Sequence, residues 1–205
     1  MSKHIITYLA RHGTTDLNQK DAFRGPIDAP LDREGWRDAH QLAYYFNPLE
    51  LSHIFHSGKI RTRETAKLIG DQKDIKPTEN KDLAAWNVGD LGGQPKNKKN
   101  LDLVEWHVQH PSVPLPGGES LDEFRERVRP IIADAIDLSM DCGCPLLLVC
   151  HSSVIHEAGS MIRGDHEYAL VEPGGVAAIY IAEGKLGMEP IFKPKTPGHK
   201  VDIVT

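Results

Sequence analysis

The chain predicts an α/β fold: a three-layer α/β/α sandwich built on a mostly parallel sheet. Three observations carry this expectation. Residues Ile5, Ile6, Tyr8 and Leu9 form an apolar run bounded by Gly13, and Pro145 to Cys150 form a second one, short and bounded. Runs of this kind, apolar without alternation, suit strands covered on both faces. Segments of helical spacing separate the runs, and strands that alternate with helices imply a sheet with helices on both sides. A length of 205 residues fits one domain, 1–205, with a loop and helical insert at about 84–118 and a loose tail from about Lys193.

The elements follow in order. Residues 19–32 read as an ordered loop, with Gly25-Pro26 and Ala29-Pro30 as breakers. Asp32 caps a helix whose apolar positions are Trp36, Ala39, Ala43 and Phe46, and Pro48 stops it. A short strand, His53 to His56, turns through Ser57-Gly58 into a helix from near Arg61 to Gly70. Residues 76–83 are a weaker strand candidate. The stretch 84–118 is mostly loop around Gly89 and Gly92-Gly93, with a Lys-Asn-rich patch at 96–100 and a helix near Leu101 to Val108.

Ser120 followed by Glu123 is a capping box, and the stripe Leu121, Phe124, Val128, Ile131 and Ala135 continues from it, with a kink expected at Pro130. The second apolar run ends at His151. Ser152 is placed to cap a helix through Met161-Ile162, closed by Gly164. Val176 to Ile181 and residues 187–192 read as an antiparallel pair around Glu183-Gly184.

Composition narrows the function classes. A net charge of -5 and a pI near 6.1 argue against nucleic acid as a partner. No apolar run is long enough to span a bilayer and the N-terminus lacks a signal peptide's apolar core, so no membrane partner is expected and the cytoplasm is the expected location. Three cysteines make a poor disulfide framework, and Cys142-Gly143-Cys144 lacks the second pair of a zinc site. Neither metal nor cofactor is expected. Assembly stays open between monomer and homodimer, with edge strands and the Trp86 region as surfaces for a homodimer.

Arg11 and His12 fall at the C-terminal lip of the first strand, where open α/β sheets bind ligands. His151 and Ser152 end a second strand at the same edge. Arg61 adds a cation at a helix N-terminus, whose dipole also favours an anion. Guanidinium forks match phosphate oxygens, and a neutral imidazole is a nucleophile. Ser152 beside His151 makes no serine-hydrolase triad, because adjacent residues cannot present base to nucleophile. The other histidines, including His53, His56, His107, His110 and His156, read as surface or packing residues.

Together these motifs resemble the histidine phosphatase superfamily, with its phosphoglycerate mutase-like fold, in its branch 1. They are Arg-His-Gly-x-Thr-x-x-Asn at 11–18, Ser-x-x-x-Arg-x-x-x-Thr-Ala at 57–66, Gly-Glu-Ser at 118–120 and Val-x-His at 149–151. The loop from Phe23-Arg24-Gly25 to Gly35 is similar to the family's loop after the nucleophile. The resemblance implies a phosphatase acting on a small phosphorylated substrate through a phosphohistidine on His12. It implies that Arg11, Arg61 and His151 line the phosphate pocket, and that Asn18, Arg24, Gly25 and Ser152 help bind substrate. Substrate recognition is expected from the loops at 19–30 and 84–118.

One departure stands out: Ala85 occupies the place of the family's general-acid Glu, and Ser152 stands where the other branch carries Asp. Asp90 or Asp82, from a shifted loop, or a protonated His151 are the candidate donors; alternatively the substrate's leaving group needs little help. The rival readings are a catalytically weak phospholigand-binding protein and a phosphomutase.

Overall fold

The computed structural model describes residues 3–25, 27–164 and 171–195. Within them, six strands form one sheet in the order β3-β2-β4-β1-β5-β6. The strands are β1 (His4–Arg11), β2 (Ile54–His56), β3 (Thr78–Glu79), β4 (Leu146–Cys150), β5 (Val176–Ala182) and β6 (Lys185–Phe192). The pairs β1–β4, β4–β2 and β2–β3 are parallel, whereas β1–β5 and β5–β6 are antiparallel. The sheet is therefore mixed, and its parallel half carries the motif-bearing strands.

Alternation along β4 explains the two-sided core. Leu146, Leu148 and Cys150 join one buried cluster with Phe124, Val128 and Ile132, while Leu147 and Val149 join the other with Leu42, Phe46 and Ile69. Helices α2 (Arg33–Phe46) and α3 (Ile60–Lys73) cover the second face; α5 (Leu121–Cys142) and α6 (Ser152–Arg163) cover the first. A short α1 (Asp16–Gln19) follows β1, and α4 (Lys98–Gln109) lies in the insert.

The helices refine several expectations. In α2 the buried positions are Gly35, Asp38, Ala39, Leu42, Ala43 and Phe46; Trp36 is 41% exposed, because the stripe runs one step further round the helix. The α3 helix continues past Gly70 to Lys73, and Asp74 closes it in the left-handed region at φ 53°. In α5 the stripe passes through Ile132 instead of Ile131, which keeps spacings of three and four residues from Phe124 to Ala135. The Ser120–Glu123 capping box forms in both directions, and the helix runs as one element across Pro130.

His151, not Ser152, is the N-cap residue of α6; Ser152 is already its first helical residue. Only Thr78–Glu79 of the 76–83 segment is strand, and a 3-10 turn follows at Lys81–Leu83. Where the tail begins, the Lys195 amide donates to Gln41 Oε1 at 2.7 Å and Lys193 pairs with Glu172. Residues 196–205 lie outside the described part. Trp86 is half-buried, with its Nε1–H on the Glu119 carbonyl and its ring packed against the first core cluster.

Candidate active site

Parallel pairing puts Arg11 level with Cys150, so the residues that follow each strand meet at one sheet edge. The His12 amide donates to Cys150 O at 3.2 Å, and the Gly174 amide reaches both Arg11 O and His12 O at 3.1 Å. The loop after His12 is packed backbone against backbone on the start of α2. A Cβ on Gly13 would stand 2.3 Å from Gly35 O, and one on Gly35 would stand 2.1 Å from Thr14 O. Only glycine permits that approach at either position. Asp32 completes the joint, its Oδ1 accepting from Thr14 Oγ1 at 2.8 Å and from the Gly35 amide at 2.7 Å.

His12 and His151 are buried with ring centroids 5.2 Å apart, and Arg61 is fully buried beside both. The tautomers follow from what each partner is able to do. Gly13 O accepts from His12 Nδ1 at 2.6 Å, so the proton is on Nδ1 and Nε2 keeps its lone pair. Arg61 Nε donates to that lone pair at 3.2 Å. Arg61 Nη2 faces His151 Nδ1 at 3.4 Å and has only protons to offer, so His151 carries its own on Nε2. That proton goes to Ser57 Oγ at 2.8 Å, Ser57 passes on to Thr62 Oγ1 at 2.9 Å, and Thr62 donates to Lys59 O at 2.8 Å. Thr65, one turn after Arg61, donates to Arg61 O at 2.8 Å and accepts from the Gly13 amide at 3.4 Å. The spacing Ser57, Arg61, Thr65 therefore has a physical meaning: one helix start holds both histidines.

Charge is unbalanced here. Burial first, then Arg24, Arg61, His151 and Arg11, pushes His12 well below the usual imidazole pKa, and burial with Arg61, Arg24 and Arg11 does the same to His151. Both rings are neutral near pH 7. Burial lowers Arg11 and Arg61 to about 10, with Glu172 and Asp28 respectively acting against the shift, and both stay charged at neutral pH. Burial, Arg11 and Arg61 also lower Arg24. Among the described residues, Arg11 Nε and Arg24 Nη1 are buried without a hydrogen-bond partner. Guanidinium N–H groups shielded from water and left without an acceptor are costly, and an anion with several oxygens relieves the cost.

The profile of the histidine phosphatase superfamily (branch 1) matches residues 7–171. The chain belongs to that superfamily. Over 155 residues it is 30% identical to a Yersinia enterocolitica protein named "Probable phosphoglycerate mutase GpmB", covering 74% of this chain and 71% of that one. A crystal structure of phosphoglycerate mutase from Thermus thermophilus is similar at 26% identity and a TM-score of 0.69, covering 91% and 99% of the two chains. A mycobacterial glucosyl-3-phosphoglycerate phosphatase shares the fold at 20% identity and a TM-score of 0.74, over 90% and 96%. The six-stranded α/β architecture is accordingly phosphoglycerate mutase-like, and the similar proteins include ones named as phosphatase and ones named as mutase.

The remaining site candidates divide. Arg24, Gly25 and Ser152 line a cavity of about 370 Å³ that opens beside Arg11. Asn18 accepts from the Thr15 amide and Thr15 Oγ1 through Oδ1, both at 3.0 Å, which turns its NH₂ end outward from that pair. Asp90 is exposed on a 3-10 turn against Pro116 and Gly117 and is not among the cavity's lining residues; Asp82 is exposed too. Neither carboxylate lines the cavity, although Ala85, Trp86 and Val88 of the same loop do. Arg127 donates to the carbonyls of Asp82, Ala84 and Ala85 at 2.7, 2.8 and 2.9 Å and pairs with Glu119 at 2.6 Å. His151, when neutral, directs its one proton at Ser57.

Ala85 itself lines the cavity, as does His156, read from the sequence as a surface or packing residue. Sequence reasoning missed the parts played by Glu119 and Arg127, although the Gly118-Glu119-Ser120 motif was visible. Glu119 holds the Asn87 amide at 2.8 Å and Arg127, while Ser120 caps α5. Among the described residues no group of three or more His, Cys, Asp or Glu is placed to hold a metal ion, and no helix is long and apolar enough to cross a membrane.

Proposed function

We propose that the chain is a phosphomonoesterase that transfers the phosphoryl group through His12 Nε2. The observation that carries this reading is a neutral buried imidazole, its lone pair aimed at Arg61, ringed by Arg11, Arg24 and Arg61 with two unpartnered guanidinium N–H groups. In the first step Nε2 forms a bond to phosphorus while the ester oxygen leaves with the bonding pair and takes a proton from solvent. In the second, water attacks phosphorus, the P–N bond breaks and inorganic phosphate leaves. Three preorganised cations stabilise the charge on the equatorial oxygens in both steps. The Ser57–Thr62 chain keeps His151 in the tautomer that turns Nδ1 to Arg61.

A mutase must hold its phosphoenzyme against water and recognise the acidic groups of its substrate. The cavity's one lysine, Lys96, stands 3.3 Å from Asp21, which favours the phosphatase reading over the mutase one. The test uses p-nitrophenyl phosphate, whose leaving group needs little protonation. Purified protein should turn it over, in EDTA as well as without, and His12→Ala should not. Equal rates for the two proteins across pH 5 to 8 would refute the proposal.

A further inference from the structure

Beyond the cation cluster, the 370 Å³ cavity has walls that recognise a different kind of chemistry. Its apolar lining includes Phe23, Trp86, Val88, Val104, Val108 and Phe124. Apart from Arg11, Arg24 and His156, the charged or titratable groups on its lining are Lys96 and Glu157. Each is paired with an opposite charge of the protein. Lys96 faces Asp21, and the Glu157 carboxylate, with its side chain 3% exposed, is held by Arg129 at 2.6 Å and Arg125 at 3.4 Å. The wall position where an acid is expected is Ala85, and the loop carrying it is fixed by Arg127 and by Ser153, whose Oγ accepts from the Trp86 amide at 3.1 Å.

We infer that the substrate's alcohol portion is a neutral aromatic ring or ring pair: the site takes an aryl phosphate and has no place for a second acidic group. Two independent features agree on this. A largely apolar chamber of this volume covers a ring, and beyond the arginines that take the phosphoryl group its one lysine already faces Asp21. An aryl oxygen also departs with far less proton donation than an alkoxide, which suits a site with Ala85 in its wall. The inference rests on the phosphomonoesterase reading, and binding of unreactive phosphonates tests it separately from turnover.

Three probes, titrated calorimetrically into the full chain, decide it: 1-naphthylmethylphosphonate, methylphosphonate and 2-carboxyethylphosphonate. Each buried CH₂-sized unit contributes roughly a fourfold factor. The naphthyl probe should therefore bind at least ~30-fold more tightly than methylphosphonate even with most of that gain discounted. The carboxyethyl probe should gain nothing over methylphosphonate. Val104→Asp should bring the naphthyl-to-methyl ratio down to a few-fold, and Phe23→Ser should do so independently if the first variant fails to fold. A wild-type ratio near one, or tightest binding by the carboxyethyl probe, overturns the inference. If p-nitrophenyl phosphate is meanwhile cleaved through His12, the phosphatase reading survives that result. The predicted ranking without any turnover supports the ligand class and removes the phosphatase. Absence of binding by all three probes removes both.

Discussion

Asp38 stands behind the nucleophile loop, 1% exposed, with Oδ2 accepting from the Thr14 amide at 3.1 Å and Oδ1 buried without a partner among the described residues. Burial, with Asp32 and Glu34 nearby, pushes its carboxyl up to about 6 from 3.8, against the Thr14 hydrogen bonds. A raised carboxyl pKa contributes stability that is fully present below the unfolded value and is lost as pH rises through the folded one. Ionising the group in the folded state therefore costs up to about 3 kcal/mol by pH 8. Asp38→Asn keeps an acceptor for Thr14 and removes that cost. The variant should gain ~1–3 kcal/mol over wild type in urea unfolding at pH 8, and the gain should shrink toward zero at pH 4. His12 and His151 act in the opposite sense: their lowered pKa values add stability above about 6.5 that is lost as pH falls, equally in both proteins. A constant difference between the two proteins across this range would show that Asp38 does not titrate there. The sequence hid this residue because an apolar stripe gives no reason to bury a carboxylate; the acceptor is needed only once Thr14 packs on α2.

At the scale of elements, caps and stripes were legible and the pinning of loops was not. The Ser120–Glu123 box, the α6 stop at Gly164 and the two histidine-bearing strand ends follow from local chemistry within a few residues. The position of the 82–90 loop depends on Arg127 and Glu119, more than thirty residues further on, and on Ser153 in α6. Those contacts hold Ala85 in the cavity wall, so a carboxylate introduced there would join the cavity's lining. With Ala85 in place, turnover should fall steeply as the leaving group's pKa rises. Ala85→Glu should raise hydrolysis of alkyl phosphates and flatten that dependence, since general acid catalysis typically contributes ~10²–10⁴-fold. Rates for a series of aryl and alkyl phosphates measure both slopes. If the native protein cleaves the two classes alike and Asp90→Asn selectively removes alkyl activity, Asp90 supplies the proton by loop movement and Ala85 is no deficit.

Across the whole molecule, the parallel half of the sheet and its helices were predictable because strand–helix alternation is a short-range pattern. What closes the site is long-range. Residues 21–23 and 93–96 are stitched together by an isolated bridge between Ala22 and Pro95, by Phe23 N to Gln94 O at 2.9 Å, by Gly93 N to Phe23 O at 2.7 Å and by Lys96 N to Asp21 O at 2.9 Å. No periodicity in either loop announces a partner seventy residues away. The stitching carries Arg24 to the cavity that Arg11 also lines, so the fold gathers like charges and bears their mutual repulsion. An anion that binds only the folded chain should relieve this repulsion throughout the molecule. At a phosphate concentration one hundred times its Kd, linkage adds about 2.7 kcal/mol. For a chain of this length each kcal/mol corresponds to ~2–4 °C, so Tm should rise by ~5–11 °C. Chloride at matched ionic strength should reproduce little of the rise, because screening does not replace bidentate contacts. Arg61→Ala removes the guanidinium shared by both histidines and should lose most of the phosphate-induced shift, at a cost of about 2.7–4 kcal/mol in transition-state binding. A full shift retained in Arg61→Ala would place the phosphate site away from His12, and equal shifts in phosphate and chloride would reduce the guanidinium cluster to a general salt effect.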